Sequence, residues 1–129
     1  MKQENFLKRI KKESYPKLVK RAWKAWSLKR RKEIMDSNGY VTCVTCGKVE
    51  NYKNVDLGHF IHGKLDFHLQ NTGPQCTRCN RFLHGNLGVY AVYLDKTYGE
   101  GAAERLIALG KKEKPRPYSR EELIEIITN

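Results

Sequence analysis

Four cysteines fall in two tight pairs, Cys43/Cys46 and Cys76/Cys79, and the chain has no fifth. A C-x-x-C turn presents two sulfurs to one ion, so two such turns complete a thiolate tetrahedron suited to Zn2+. A chain of 129 residues buries only a modest apolar core, and a staple of this kind therefore governs much of what it can become. The pairs stand further apart than in common zinc ribbons, so residues 47–75 must fold into something of their own. A redox pair, free core thiols and an iron-sulfur centre are the alternatives to zinc. A full set of thiolates leaves no open coordination position, so this ion would stabilise the fold, and any chemistry must lie elsewhere.

Charge narrows the partner. The formal net charge is +11, and residues 1–35 carry thirteen Lys and Arg against three Glu, whereas residues 36–129 carry twelve against eleven acids. A basic surface concentrated in one arm points to a polyanion, most often nucleic acid. No run of apolar residues is long enough to cross a bilayer, and the first 30 residues lack the apolar centre of a secretory signal. The expectation is a cytoplasmic protein with no membrane partner and no organic cofactor. In that reducing compartment paired cysteines hold metal more often than they form disulfides.

The chain reads as a basic helical arm over 1–38, a zinc-braced core over 39–99 and C-terminal helices over 100–129. Residues 3–13 predict a short helix, Ser14-Tyr15-Pro16 a break and restart, and Asn38-Gly39 the end of a second helix. Tyr40 to Val44 and Val55 to His62 read as strands that pair with each other. A helix begins at Asn80, is interrupted at Gly85-Asn86 and resumes over 87–98; another runs from Ala102 until Gly110 stops it. Ser119 with Glu122 forms a capping box for a last helix, whose Leu123, Ile124 and Ile127 need something to pack on.

The segment between the knuckles supplies chemistry. Phosphodiester hydrolysis needs a water made nucleophilic and positive charge on the phosphate and the departing oxygen. His59, at a strand end and titrating near neutral pH, suits the first role. Asp56 and the amide oxygen of Asn80 are hard ligands, few enough to leave several waters on Mg2+.

The run Cys43-x-x-Cys46, Asp56-x-Gly-His59-Phe, Asn71, Gln75-Cys76-x-x-Cys79-Asn80 and Gly85-Asn86 resembles the HNH, or His-Me finger, nuclease motif in the version carried by the phage lambda NinG (Rap) recombination proteins. Endonuclease VII-type Holliday-junction resolvases share the four cysteines, the histidine and the asparagine. The resemblance covers roughly residues 40–100. It implies an α+β fold with a zinc-stapled ββα-metal core, a phage or prophage source, and cleavage of branched DNA such as Holliday junctions and D-loops. It makes His59 the general base, Asn71 the asparagine that holds the loop and orients the histidine, and Asp56 and Asn80 ligands of a catalytic Mg2+ or Mn2+. In the endonuclease VII type the metal-binding aspartate directly precedes the histidine, whereas Gly58 stands there in this chain. Asp56, two residues earlier on the same strand face, is expected to reach the ion through a shift or bulge.

Simpler roles exist for each residue. His59 can satisfy backbone groups, Asn71 can cap the turn before Thr72-Gly73-Pro74, and Asn80 can cap a helix. His84 is a spare ligand or a surface residue; His62 and His68 face solvent or phosphate. In the arm, Lys17, Lys20, Arg21, Lys24, Lys29, Arg30, Arg31 and Lys32, joined by Arg78 and Arg81, are candidate DNA contacts that bind phosphate without reading sequence. Trp23 and Trp26 either pack on the domain or stack on unpaired bases. Symmetric nicking needs two sites, for which a homodimer is the simplest source. Two alternatives remain: a zinc-containing nucleic-acid-binding module without catalysis, and a general HNH nicking endonuclease.

Overall fold

A computed structural model describes residues 2–129, a mixed helix-and-sheet fold with two small antiparallel sheets. Helices α1 (Lys2–Lys12) and α2 (Tyr15–Ile34) meet at a break before Pro16, where the Ser14 carbonyl accepts from Leu18 N–H at 3.0 Å. Strands β1 (Tyr40–Thr42), β2 (Val49–Asn51), β3 (Asp56–His59) and β4 (Thr72–Gln75) follow, then a short π-helix, Arg78–Phe82. Helices α3 (Leu87–Tyr98), α4 (Ala102–Lys112) and α5 (Arg120–Thr128) complete the chain.

Strand pairing departs from expectation. β1 pairs with β2 and β3 with β4, so the two strands read from the sequence are not partners. The first knuckle explains this, because it reverses the chain at once: Gly47 N–H donates to Cys43 O, Cys43 N–H donates to Lys48 O, and Gly47 adopts φ +80°. Val49–Asn51 therefore reaches β1 before β3 can. Thr72-Gly73-Pro74 belongs to β4, and the turn before it is the short 3-10 segment Leu69–Asn71, where Asn71 N–H donates to His68 O. Phe60 N–H donates to Asn71 O, and the antiparallel ladder alternates from there. Pro74, opposite Leu57, falls at a non-bonded pair, where its missing N–H costs the ladder nothing. β3 also stops at His59 rather than His62, since Asn71 captures the Ile61 peptide beyond it.

Two apolar cores result. One gathers Phe60, Leu65, Tyr90, Leu94, Ala102, Ala103 and Leu106 between the β3 exit, α3 and α4. Gly110 does not end α4 but lies buried within it, and a Cβ there would meet Ile61 Cγ2 at 3.0 Å. The glycine lets the loop after β3 approach the helix. The other core joins Ile10 of α1, Leu18 and Ala22 of α2 and Leu123 of α5, all fully buried. Each buried leucine contributes about 1.5–3 kcal/mol. The α5 capping box forms as the sequence predicts, and α2 is the surface its apolar face lacked. Tyr15 Oη donates to Tyr118 O, and Arg120 donates to Lys11 O and Glu13 O, so the start of α5 is tied to the α1–α2 break. Among the described residues no helix is long and apolar enough to cross a membrane.

Candidate metal centre and the adjoining recess

The four cysteine sulfurs all lie within 4.8 Å of one another, and none is in a disulfide. Cys46 Sγ and Cys76 Sγ stand 3.6 Å apart, close to the roughly 3.8 Å edge of a tetrahedron with zinc-sulfur bonds of about 2.3 Å. Donors already face the sulfurs: Cys79 N–H approaches Cys76 Sγ, Asn86 Nδ2 approaches Cys79 Sγ, and the Thr45 hydroxyl touches Cys43 Sγ. Burial opposes ionisation of Cys43, but the Thr45 hydroxyl and neighbouring backbone N–H groups outweigh it and bring the thiol to about 6. The Lys48 backbone N–H favours the Cys46 thiolate, yet burial and three crowded sulfurs push it up to about 12. Four sulfurs that cannot all ionise beside one another become compatible once a dication sits among them. The cluster can hold a zinc ion.

The second knuckle fixes the element beside it. Asn80 N–H donates to Cys76 O and Gly85 N–H to Cys79 O, while Leu83 N–H closes the π-helix on Arg78 O. Asn80 and Arg81 thereby face β3. Asp56 accepts from Asn80 Nδ2 at 2.9 Å and from the Arg81 guanidinium at 3.0 Å through both oxygens. Together with Trp23, Ser27 and Arg31 of α2, these three residues line a recess of about 200 Å³. Asp56 gets there without a bulge, because the β3–β4 register runs unbroken from Asp56/Gln75 to His59/Thr72. Gly58 has a steric reason of its own: a Cβ there would lie 1.8 Å from Gln75 Oε1. The fully buried Gln75 amide fills that slot and donates to Thr45 Oγ1 and Gly85 O, bracing the first cysteine knuckle against the turn after the π-helix.

Carboxylate and amide are suited to a hard divalent ion, and among the described residues the cation paired with Asp56 is Arg81, whose side chain is 65% exposed. An exposed ion pair is cheap to open. With the guanidinium swung out and the Asn80 amide turned, two oxygens would face the recess.

His59 does not line that recess. It projects from β3 on the face opposite Asp56, and Trp23, which borders the recess, stacks over its ring at 4.2 Å between centroids. Its Nε2 lies 3.2 Å from the Asp66 carbonyl, which can only accept, so Nε2 carries the hydrogen and Nδ1 keeps the lone pair. Burial is the main cause holding its pKa below the usual value, with His62 adding to it and the Asp66 charge and carbonyl opposing. The imidazole is neutral at neutral pH. Asn71, fully buried, clamps the intervening loop: its Oδ1 accepts from Ile61 N–H, and its Nδ2 donates to Ile61 O and Leu65 O. It holds the backbone leading to Asp66, and through Asp66 the histidine.

The model of the family described as Bacteriophage Lambda NinG protein matches residues 2–129. The chain belongs to the NinG family. No curated protein and no solved structure matches it.

The NinG match takes in the arm and α5 as well as the cysteines, in keeping with their shared core. Of the ten basic candidates, Arg31 donates to Tyr52 O and Val55 O, Arg21 pairs with Glu13, Arg30 with Glu33 and Arg81 with Asp56. Lys17, Lys20, Lys24, Lys29 and Lys32 make no ion pair among the described residues. Arg78 and His84 are exposed, while His68 is half-buried rather than solvent-facing. Trp23 and Trp26 pack on the domain, both against Phe67. Sequence reasoning missed Asp66 and the roles of Gln75 and Trp23. Asp66 carried one signal, as the sole acidic residue between Asp56 and Asp95.

Proposed function

We propose that this NinG-family chain is a metal-dependent, structure-selective DNA endonuclease that hydrolyses phosphodiester bonds in branched recombination intermediates. The observation that carries the reading is the joined pair Asp56–Asn80, positioned by a zinc-fixed turn and three residues along β3 from a neutral, buttressed histidine. Asp56 and the Asn80 amide oxygen would hold a Mg2+ or Mn2+ ion, which would supply positive charge to the phosphate and the departing 3′ oxygen. His59 lies outside the recess, under Trp23, so its Nδ1 would take the proton of the attacking water only once the indole has moved; its Nε2–H on Asp66 O would keep the ring from turning as charge develops. Arg81, released from Asp56, is free to meet a phosphate oxygen. The unpaired lysines of α2 hold the duplex by its backbone. Because Trp23 lies over His59 at the border of the recess, entering DNA must move the indole aside. The NinG resemblance implies 5′-phosphate ends.

The groove of about 620 Å³ between α2 and α5 supports a two-copy arrangement, since Lys29 and Lys32 line one wall and Glu122 and Glu125 the other. A symmetric partner would place opposite charges face to face.

One observation favours a non-catalytic DNA-binding reading: Asp56 is already satisfied by Arg81 and Asn80, and His59 is stacked away from the recess. Labelled four-way junction, linear duplex and single strand, incubated with zinc-loaded protein with and without added Mg2+, separate the readings. The nuclease reading expects Mg2+-dependent cuts with the junction preferred; binding to all three without cuts would establish the module instead. Equal cleavage of junction and duplex would make it a general nicking enzyme.

A further inference from the structure

Phe82 is 75% exposed, the most open of the large apolar side chains, and it lies on the one turn that carries both Asn80 and Arg81. Exposing most of a phenyl group forgoes the free energy of burying it. Solvated tips of mobile loops bear such rings without consequence, but this turn is not one. Cys79 at its centre is fully buried among the thiolates, Leu83 N–H closes it on Arg78 O at 2.9 Å, and Gly85 N–H anchors it on Cys79 O at 2.8 Å. His84 and Asn86 hold left-handed φ values of 51° and 49° beside it, a conformation non-glycine residues rarely keep unless their surroundings impose it. The ring is thus displayed on a turn held by its own backbone bonds and by the buried Cys79.

Its neighbours define what fits. In a turn closed by a bond from residue i+5 to residue i, positions four and five apart lie one above the other, so exposed Arg78 shares a face with Phe82. Leu83 and Leu87, each 41% exposed, widen the apolar surface. Arg81, next to Phe82 in the chain, lines the Asp56 recess. An apolar ring between Arg78, which shares its face, and Arg81, its neighbour in the chain, suits a nucleobase out of its stack, the sugar-phosphate chain on either side meeting the arginines. On a chain of net charge +11, a second copy of this same surface would meet arginine with arginine, which leaves the polyanion as the complementary occupant.

We infer that Phe82, with Arg78 beside it, is the contact that recognises branched DNA, stacking on a base unstacked at the branch point next to the bond to be cut. The inference takes its ligand from the nuclease reading and supplies the shape selectivity that phosphate contacts lack. A continuous duplex offers no open base face, whereas a junction does.

The test measures binding, not cutting. Zinc-loaded wild type, Phe82→Ala and Phe82→Trp are titrated, without added Mg2+, against a four-way junction with 2-aminopurine at the branch point and against linear duplex of the same sequence. The junction affinity of Phe82→Ala should fall about tenfold or more, as expected for one stacked base. Its duplex affinity should stay within about twofold, its 2-aminopurine signal change should vanish, and Phe82→Trp should retain both affinity and signal. The exposure of the ring predicts unchanged melting temperatures. Unaltered junction binding by Phe82→Ala, equal losses on junction and duplex, or a loss of self-association with no effect on DNA would each overturn the inference. Absence of cleavage by a protein whose junction binding still depends on Phe82 would sink the catalytic reading and leave this one standing.

Discussion

Replacing Asn71 with alanine removes one acceptor and two donors from a site with no solvent access. Ile61 N–H loses its 2.7 Å partner, and Ile61 O and Leu65 O lose theirs at 2.8 and 3.0 Å. Three bonds at about 1 kcal/mol each, with a further penalty for buried groups left unpaired, give a loss of about 3–6 kcal/mol. A domain of this size is stable by only about 5–15 kcal/mol in total. Urea unfolding of the zinc-loaded protein, followed by tryptophan fluorescence, should show the midpoint falling by on the order of 2 M at constant slope. Trp23 and Trp26 report locally, since both pack on Phe67 within the clamped loop region. Asn71→Asp keeps the acceptor for Ile61 N–H but loses both donors, so it should be nearly as damaging. A loss below about 1 kcal/mol for Asn71→Ala would refute the claim that this side chain holds the loop.

Native mass spectrometry should show one zinc per chain, and Cys46→Ser, which alters the one exposed cysteine of the four, should lose the metal and the cooperative melt; retention of both would remove the thiolate site. Because burial holds the His59 pKa below its usual value, the neutral base survives into mildly acid solution, and the acid limb of kcat/KM should lie below pH 6.5. For the same reason folding stability should fall as pH drops below 6.5, where the unfolded chain binds the proton first. Trp23→Ala should raise the histidine pKa, read from its imidazole NMR shifts, and move the acid limb up; an unmoved or lowered pKa contradicts the desolvation argument. Arg81→Ala should strengthen Mn2+ binding at Asp56, measured by electron paramagnetic resonance, while weakening DNA binding; weaker Mn2+ binding would show that Asp56 is not the ion's ligand.

What could be read from the residues was what depends on short spacing. The knuckles, the Ser119–Glu122 box and the break before Pro16 are local, and each stands where its pattern put it. The clustering of Asp56 with Asn80 was also legible, because two knuckles closing on one site force the segment between them back onto the second turn. Strand partners were not, since strands of three or four residues carry too little pattern and the tight reversal at Gly47 decided the pairing. Gly110 looks like a stop in one dimension and is a contact in three, because only the fold brings Ile61 against it. The same holds for Gly58, whose lack of a side chain makes room for Gln75, and for Trp23, whose position over His59 depends on α5 pinning α2 across the domain.

The most direct measurement is single-turnover cleavage of a four-way junction by His59→Ala, with zinc content and junction affinity first shown equal to wild type. The account predicts a rate at least about a hundredfold lower, as loss of a general base requires, with part of it regained on adding free imidazole. A variant that cuts as fast as wild type would contradict it.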